Sequence, residues 1–312
     1  MKWSVIQRIV GLLLMMFSIT MLTPVIFSVI YNENNWAPFL ISFLITFFSG
    51  LLIWLPTRQS GNDLRLRDGF IVVALFWVVL GIFGAAPLYL ASLPVMSLTD
   101  AIFESISGLT TTGATVISGL DLLPKSILFY RQQLQWLGGM GIIVLAVAVL
   151  PMLGVGGMQL YRAEAPGPIK DNKLTPRITE TAKALWYVYL TLTILCSSSY
   201  YFAGMNFFDA LSHAFSTIAI GGFSTHDQSI GYFNSSKIDL IAIFFMFIAG
   251  ANFSLHFFSW RNKSLTHYLN DQEFKAYTKI LLAISVFVIL TLFFSNFLDN
   301  NFIITGLFQA IS

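Results

Sequence analysis

Long stretches without a charged residue or histidine constrain this chain more than any other feature. A bilayer core requires about 20 mostly apolar residues per helix. Six stretches of the 312-residue sequence meet that length, and a seventh, residues 240–260, is interrupted only by His256. The six are residues 9–31, 36–56, 69–99, 132–160, 184–208 and 280–298. The sequence therefore predicts an all-α, polytopic membrane protein with seven spans.

The composition excludes whole classes of protein. Hydrophobic residues make up 56% of the chain and charged residues only 10%, against roughly 25% charged in an average soluble domain. A water-soluble enzyme or a nucleic-acid-binding protein could not hide that much apolar surface, so we expect the lipid bilayer, and no nucleic acid, as a partner. Because Cys196 is the only cysteine, an intramolecular disulfide and a cysteine-based metal cluster are also excluded.

The basic residues predict the orientation of the chain. Fourteen of the 17 Lys and Arg residues lie in the amino terminus or in loops within residues 57–68, 161–183 and 261–279. With seven spans, all of these segments lie on one side, which the positive-inside rule makes cytoplasmic. We therefore expect a cytoplasmic amino terminus. The basic loop 162–183 is explained by the same rule, although the docking of a cytosolic regulator there stays open.

Two shorter apolar segments cannot cross a membrane. Thr99–Leu109 and Phe207–Ile218 are each about a dozen residues long and lie between spans. They are typical of re-entrant half-helices, which are tolerated where protein or a watery cavity surrounds them. Ser97 and Asn206 stand three residues before Asp100 and Asp209, a spacing that predicts amino-terminal caps.

These half-helices belong to an internal repeat. Residues 100–115 match residues 209–224 at an offset of 109, with Asp, Ala, Ser and Gly coinciding, and each copy has a span on either side. A third copy begins at 307–312, which aligns with 102–107. We therefore divide the chain into an amino-terminal pair of transmembrane helices (1–68), a first repeat (69–168), a second repeat (169–265) and the start of a third (266–312), truncated before its filter. The sequence predicts the front part of a longer protein with four repeats.

The loop after each half-helix has the composition of a cation site. The half-helix dipole directs its negative carboxyl end inward, and glycine permits backbone angles that align successive carbonyls. Such carbonyls can replace the hydration shell of K⁺, and the loops lack the carboxylate ring that a calcium site would show. A glycine turn between packed helices is the plainer alternative for a single loop. Two loops at matching positions favour the cation site.

Three stretches resemble the potassium-translocating subunit of the bacterial Trk/Ktr superfamily and its plant HKT relatives, and the TrkH type in particular. They are SGLTTTGATV (107–116), QWLGGMGIIVLAVAVLPMLGVGGMQLYRAEAPGP (135–168) and HAFSTIAIGGFSTHD (213–227). The resemblance covers essentially the whole chain. It implies a pseudo-fourfold pore of span–pore helix–filter loop–span units, as in potassium channels, in the bacterial inner membrane. It also implies a homodimer and a cytosolic nucleotide-binding ring of the TrkA type that gates the pore.

The resemblance also assigns the filter. Backbone carbonyls of Thr111, Thr112 and Gly113 in the first unit, and of Ile220, Gly221 and Gly222 in the second, would coordinate K⁺ as the transported ion, with K⁺ placed at Thr111, Thr112, Ile220 and Gly221. No organic cofactor is expected. The flanking positions are Thr110, a hydroxyl at the inner mouth, and Ala114, Ala219 and Phe223. Because Ile-Gly-Gly departs from Thr-Thr-Gly, we expect a site of less than fourfold symmetry and weaker discrimination than in a symmetric channel.

Several other residues have two interpretations each. Gly138, Gly139 and Gly141 provide either close helix packing or a bend that acts as a gate hinge. Arg131 either snorkels to the external interface or tunes the outer mouth electrostatically. His213 and His226 are either satisfied interfacial histidines or pH sensors. Asp121 and Asp227 either gather cations or are solvated surface groups.

The predicted function is potassium uptake through a gated, channel-like pore. A coupled transporter that moves K⁺ with H⁺ or Na⁺ is the alternative, but it usually needs an ionisable relay inside the membrane, and the seven spans contain almost none. A non-conducting truncated fragment also stays open. A membrane enzyme is disfavoured because no nucleophile–base pair or metal motif is present, so we expect a protein that is not an enzyme.

Overall fold

The computed structural model describes residues 3–59, 66–139, 141, 178–294 and 302–312, and within these ranges the chain is helical. The helices that build the first half, with their bounds, are α1 (Trp3–Thr20), α2 (Thr23–Ile30), α3 (Ala37–Trp54), α4 (Leu66–Gly84), α5 (Ala86–Leu90), α6 (Leu98–Leu109) and α7 (Lys125–Gly139). Those that follow are α8 (Ile178–Phe202), α9 (Phe207–Ala219), α10 (Ser236–Ala249), α11 (Phe253–Asn262), α12 (Thr266–Asn270), α13 (Gln272–Phe294) and α14 (Phe302–Ile311).

Four segments of the described ranges are long and apolar enough to cross a membrane: Trp3–Ile30, Ala37–Thr57, Ile71–Leu90 and Gln272–Phe294. They correspond to four of the seven predicted spans. The predicted span 184–208 matches α8, which has 25 residues but begins with charged groups and ends at Phe202. Most of the predicted span 132–160 lies outside the described residues.

Two predicted spans have different bounds in the structure. The helical part of 69–99 ends at Leu90, where Ala91 takes an extended conformation, so the last residues of that stretch form the approach to α6. The stretch 240–260 is not one helix, because it breaks between Ala249 and Phe253.

At the break between α10 and α11, side chains form hydrogen bonds with the backbone carbonyls near the end of α10. The Tyr277 hydroxyl donates to the Phe247 carbonyl at 3.0 Å, and the His256 Nε2 is 3.0 Å from the Ile248 carbonyl. Gly250 lies close to this tyrosine, since a Cβ would lie 3.0 Å from the Tyr277 ring carbon Cζ. Broken helices are tolerated at membrane depth when the freed backbone groups find such partners. His256 therefore provides a hydrogen-bond partner for a backbone carbonyl at the break.

Close helix packing holds the first half together. A Cβ on Gly11 of α1 would lie 2.7 Å from the Gly50 carbonyl oxygen of α3, and a Cβ on Gly50 would lie 2.8 Å from the Gly11 oxygen. Small residues at such crossings let backbones approach without a hydrophobic driving force. A core built mainly from α1, α4, α6 and α7 fills the space around this crossing.

The half-helices pack as the repeat predicts. α6 lies against α4 and α7, and α9 lies against α8 and α10, while α9 and α7 contact each other across the two units. α14, the predicted third half-helix, contacts α10 and α13, and its Phe308 and Ile311 pack on the core of the second unit. By contrast, α13 buries only Ser285 among its described residues.

Candidate functional site

Both half-helices begin at the predicted caps. The Asp100 amide donates to the Ser97 hydroxyl at 3.2 Å, and the Asp209 amide donates to the Asn206 side-chain oxygen at 2.9 Å. α6 and α9 then run for 12 and 13 residues. The sequence prediction of two short capped helices is confirmed, and α9 extends one residue further than predicted.

The loops that follow α6 and α9 have the same backbone fold. Thr111 and Gly113 have φ of 53° and 76°, and the matching Ile220 and Gly222 have φ of 51° and 85°, whereas Thr112 and Gly221 are not in the left-handed region. Alternation of handedness turns successive N–H groups to one side of the chain. A left-handed conformation costs about 1–2 kcal/mol for a residue with a side chain, so Thr111 and Ile220 mark a conformation that the surroundings impose.

The amides of both loops point back to their own half-helix. Thr112 donates to the Ser107 carbonyl and Gly221 donates to the Ser216 carbonyl, each at 2.9 Å. Ser107 also donates through its hydroxyl to the Ala114 carbonyl at 2.6 Å. Because these N–H groups are bonded on the helix side, the loop carbonyls are left for the opposite side. Within the described residues, the carbonyls of 110–113 accept no hydrogen bond.

The two loops meet. A Cβ on Gly113 would lie 3.2 Å from the Gly221 carbonyl carbon and would overlap its oxygen, while a Cβ on Gly222 would lie 3.8 Å from the Gly113 Cα. A cavity of about 350 Å³ opens beside them, lined by Thr112, Gly113, Ile220, Gly221 and Gly222 among others. Phe308 and Ser312 of the third half-helix segment also line it. The structure thus brings five of the six predicted filter positions to one cavity, while Thr111 is not among the residues that line it.

The second loop is held differently from the first. Gln135 of α7 donates through Nε2 to the Gly221 carbonyl at 2.6 Å and accepts from the Phe223 amide at 3.0 Å. The Gly221 oxygen is therefore partly engaged, although a carbonyl keeps a second lone pair. In the first loop the Thr110 hydroxyl is used locally, since it donates to the Ile106 carbonyl at 2.7 Å and is 2.8 Å from the Thr112 hydroxyl.

Arg131 lies on the same face of α7, four residues before Gln135. The snorkelling interpretation is wrong, because the side chain is 0% exposed, while electrostatic tuning of the outer mouth stays a prediction. Its Nε donates to Glu104 of α6 at 2.7 Å. Its guanidinium carbon lies 4.4 Å from the centre of the Phe223 ring.

Sequence reasoning missed Glu104 and Gln135 as parts of this site. A signal for Glu104 was present, since a carboxylate in the middle of an apolar half-helix needs a buried partner and Arg131 immediately precedes the next predicted span. Gln135 carried no such signal, because a glutamine on a helix is ordinary until the fold shows what it faces.

The glycines at the end of α7 pack against both half-helices. A Cβ on Gly138 would lie 2.7 Å from the Leu109 carbonyl carbon, and a Cβ on Gly139 would lie 2.7 Å from the Ala219 Cα. These contacts favour the close-packing interpretation for both. Gly141 has φ of 74°, a conformation that favours glycine.

The outer ends of the loops are fastened to each other. The Asp227 carboxylate accepts the Gly119 and Leu120 amides at 3.0 and 3.1 Å, and Asp121 is paired with the His226 Nδ1. This hydrogen bond from His226 lowers the pKa of Asp121. Neither aspartate is a freely solvated group. They fasten the loop that leaves the first filter position to the loop that leaves the second.

Both histidines of the second unit are hydrogen-bonded on both ring nitrogens. His213 lies 2.9 Å from the Asp209 carbonyl and 2.9 Å from the Ser224 hydroxyl. His226 bridges Asp121 and Asp209 and stacks on Tyr232 with ring centres 3.5 Å apart. The geometry agrees with the satisfied-histidine interpretation. The basic loop 162–183 lies outside the described residues apart from the start of α8, which includes Lys183.

Comparisons with known proteins give one family. The sequence profile of the TrkH family, described as cation transport proteins, matches residues 37–310. The chain is 62% identical over 273 residues to the Trk system potassium uptake protein TrkH of Halomonas elongata, covering 88% of this chain and 57% of that protein. It is 54% identical to the protein of the same name from Vibrio parahaemolyticus, covering 100% of this chain and 65% of that protein.

A solved structure matches as well. The crystal structure titled as the potassium transporter TrkH from Vibrio parahaemolyticus superposes with a TM-score of 0.87 at 50% identity, covering 100% of this chain and 64% of that one. The chain thus spans 57–65% of the length of these relatives. The fold is that of an all-helical membrane protein with pore-helix repeats, and its relatives are transport proteins rather than enzymes. On its sequence and its fold, this chain belongs to the TrkH family of cation transport proteins.

Proposed function

We propose that this chain contributes two filter units to a gated, channel-like pathway for potassium uptake across the bacterial inner membrane. The observation that carries the proposal is the meeting of two equivalent loops whose N–H groups are turned to their half-helices. Their carbonyls are thereby left for a cation that has lost its hydration water. The names of the relatives, potassium uptake proteins, support K⁺ as the substrate.

The loop geometry supports an assignment of the ion-binding residues. We assign K⁺ coordination to the carbonyls of Thr111, Thr112 and Gly113 in the first unit and of Ile220 and Gly222 in the second. Gly221 contributes less, because its oxygen already accepts from Gln135. The different sequences and bonding of the two loops support a site of less than fourfold symmetry.

The architecture that this function needs comes from the repeat. We propose the boundaries 1–68, 69–168, 169–265 and 266–312 for the amino-terminal pair and the three repeats, and a pseudo-fourfold ring of such units around the pore. The place of α14 beside the cavity supports a third unit. The distribution of basic residues supports a cytoplasmic amino terminus. By family resemblance we also propose a homodimer and a cytosolic nucleotide-binding ring of the TrkA type. Gly141 is the proposed hinge of a gate.

Flux into proteoliposomes tests the proposed activity. Protein expressed from its natural reading frame is reconstituted with internal KCl, and uptake of ⁸⁶Rb⁺ down the resulting potential is measured against excess external K⁺ or Na⁺. We expect uptake that K⁺ suppresses and Na⁺ does not. Uptake that requires an imposed H⁺ or Na⁺ gradient would instead support a coupled transporter. Empty-vesicle rates under all conditions would refute the proposal.

A further inference from the structure

One face of α7 connects the two filter loops. Arg131 and Gln135 are four residues apart and both are 0% exposed. Gln135 binds the second loop at Gly221 and Phe223. Arg131 binds the first unit through Glu104 and Thr115 and the second unit through Ser224. A helix of the first unit therefore holds the loop of the second unit by hydrogen bonds.

The contacts of Arg131 and Glu104 form a closed network, which we name the Glu104–Arg131 brace. Arg131 donates from Nε to Glu104 at 2.7 Å, from Nη2 to the Thr115 hydroxyl at 3.0 Å and from Nη1 to the Ser224 carbonyl at 3.2 Å. Glu104 also accepts from the Thr115 hydroxyl at 2.9 Å and from the Val116 amide at 3.1 Å. Three donors of one rigid, planar group thus bind three points, one on α6 and one on each of the two loops.

Among the described residues of the second unit, the brace has no counterpart. The offset of 109 places His213 at the position of Glu104 and Ser224 at that of Thr115. α10, the helix that follows the second loop, contains no arginine. His213 still holds Ser224 at 2.9 Å, as Glu104 holds Thr115. A hydrogen bond from the half-helix to the residue two positions after the filter glycine is therefore present in both units. Within the described residues, the Arg131 contacts that link the two units come from the first unit alone.

Stability alone does not explain the brace. Removing two charges from water costs several kcal/mol per ion, and replacing a buried pair by neutral groups of similar volume is often neutral or stabilising. The pair instead fixes the positions of Thr115 and Ser224 relative to each other. Thr115 and Ser224 each follow two residues after the filter glycines, so their separation is transmitted directly to Gly113 and Gly222.

We propose that Glu104 and Arg131 are positioning residues that set the separation of the first two filter loops and thereby the discrimination between K⁺ and Na⁺. The proposal rests on the potassium function proposed above. The ion touches neither side chain. The pair acts through the Thr115 hydroxyl, the Val116 amide and the Ser224 carbonyl.

The test compares a double variant with the wild type. Glu104→Gln/Arg131→Met removes both charges together, keeps an acceptor for Val116 and avoids a buried unpaired ion. Thermal unfolding in detergent and the Rb⁺ to Na⁺ uptake ratio in proteoliposomes are measured on the same preparations. We expect a folded protein that still conducts, with its Rb⁺ preference reduced about tenfold, which corresponds to about 1.4 kcal/mol of discrimination.

The control is a buried polar residue on α7 that faces away from the loops. Gln133 donates to the Thr20 carbonyl at 2.9 Å and accepts from Thr23 at 2.7 Å. Gln133→Leu is expected to lower the unfolding temperature and to leave the ion ratio unchanged. A double variant with the wild-type ion ratio overturns the proposal, whatever its stability.

A second variant covers the case in which the double variant fails to accumulate. Arg131→Lys keeps the charge but cannot make the three-point contact, so we expect an ion ratio between those of the wild type and the double variant. An unchanged ratio in this variant overturns the proposal. Wild-type protein that does not prefer Rb⁺ over Na⁺ refutes the potassium function itself, and that result is read before any variant is compared.

Discussion

Replacing Gly113 by alanine tests whether the two loops meet as described. Two separate costs are expected. The residue has φ of 76°, and a left-handed conformation costs a residue with a Cβ about 1–2 kcal/mol. In addition, the new Cβ would lie 3.2 Å from the Gly221 carbonyl carbon and overlap its oxygen. Forcing a methyl group into a packed site typically costs a further 1–3 kcal/mol.

Two other glycines separate these costs. Gly222 has φ of 85° and its Cβ would meet only the Gly113 Cα, at 3.8 Å, while Gly119 has φ of 73° and nothing within 4 Å. Gly222→Ala and Gly119→Ala therefore incur the backbone cost alone, about 1–2 kcal/mol each. We expect Gly113→Ala to be less stable than either by about 1–3 kcal/mol.

The assay is thermal unfolding of the three variants in the same detergent, followed by Rb⁺ uptake. Gly119 is the matched control for uptake, since it shares the backbone angle but lies outside the filter positions. We expect Gly119→Ala to conduct as the wild type does, and Gly113→Ala to lose Rb⁺ uptake or its preference over Na⁺. If Gly113→Ala unfolds at the temperature of Gly119→Ala, the loops do not contact each other as described, and the reasoning fails.

Three further predictions concern the surroundings of the loops. Gly138→Ala would place its Cβ 2.7 Å from the Leu109 carbonyl carbon, so it should lower the free energy of unfolding by about 1–3 kcal/mol. Gly231→Ala is the control, because its Cβ would have nothing within 4 Å, and it should leave the unfolding temperature unchanged. Equal unfolding temperatures for the two variants would contradict the packing. Asn206→Ala should cost about 1 kcal/mol by removing the cap of α9, whereas Asn206→Ser should be close to neutral; equal losses would show that the cap is unimportant. Because His226 lowers the pKa of Asp121, this pair stabilises the fold above the unfolded pKa of about 3.9 and loses its effect as pH falls through the lower folded value. Asp121→Asn should therefore lower stability at pH 6 by less than about 1 kcal/mol, as expected for a partly exposed pair. The difference should shrink as pH falls below the unfolded pKa, and a difference that grows with acid would contradict the assignment.

The sequence determined the elements of this protein. Charge-free stretches predicted the membrane helices, because a bilayer core tolerates little else. Ser97 and Asn206 predicted the starts of the half-helices, because a local hydrogen bond to the third amide depends only on residues three apart. The repeat predicted that the two glycine loops are equivalent, and the matching φ values of Gly113 and Gly222 agree.

Interruptions within helices and the exact ends of helices were harder to predict from the sequence. The stretch 240–260 is apolar except for a few polar residues such as Asn252 and His256, and its hydropathy does not distinguish a straight helix from one interrupted after Ala249. The interruption is stable because Tyr277 and His256 supply donors from later in the chain. Such compensation is a property of packing and is invisible to hydropathy.

The tertiary structure alone decided which side chains hold the filter. Glu104, Arg131 and Ser224 span 120 positions of the sequence, yet they share one buried network. Interactions within a helix turn or a repeat can be read from spacing, because the chain itself fixes the distances. A guanidinium that bridges two units depends on how α7 crosses α6 and α9, and only the packed molecule sets those crossings.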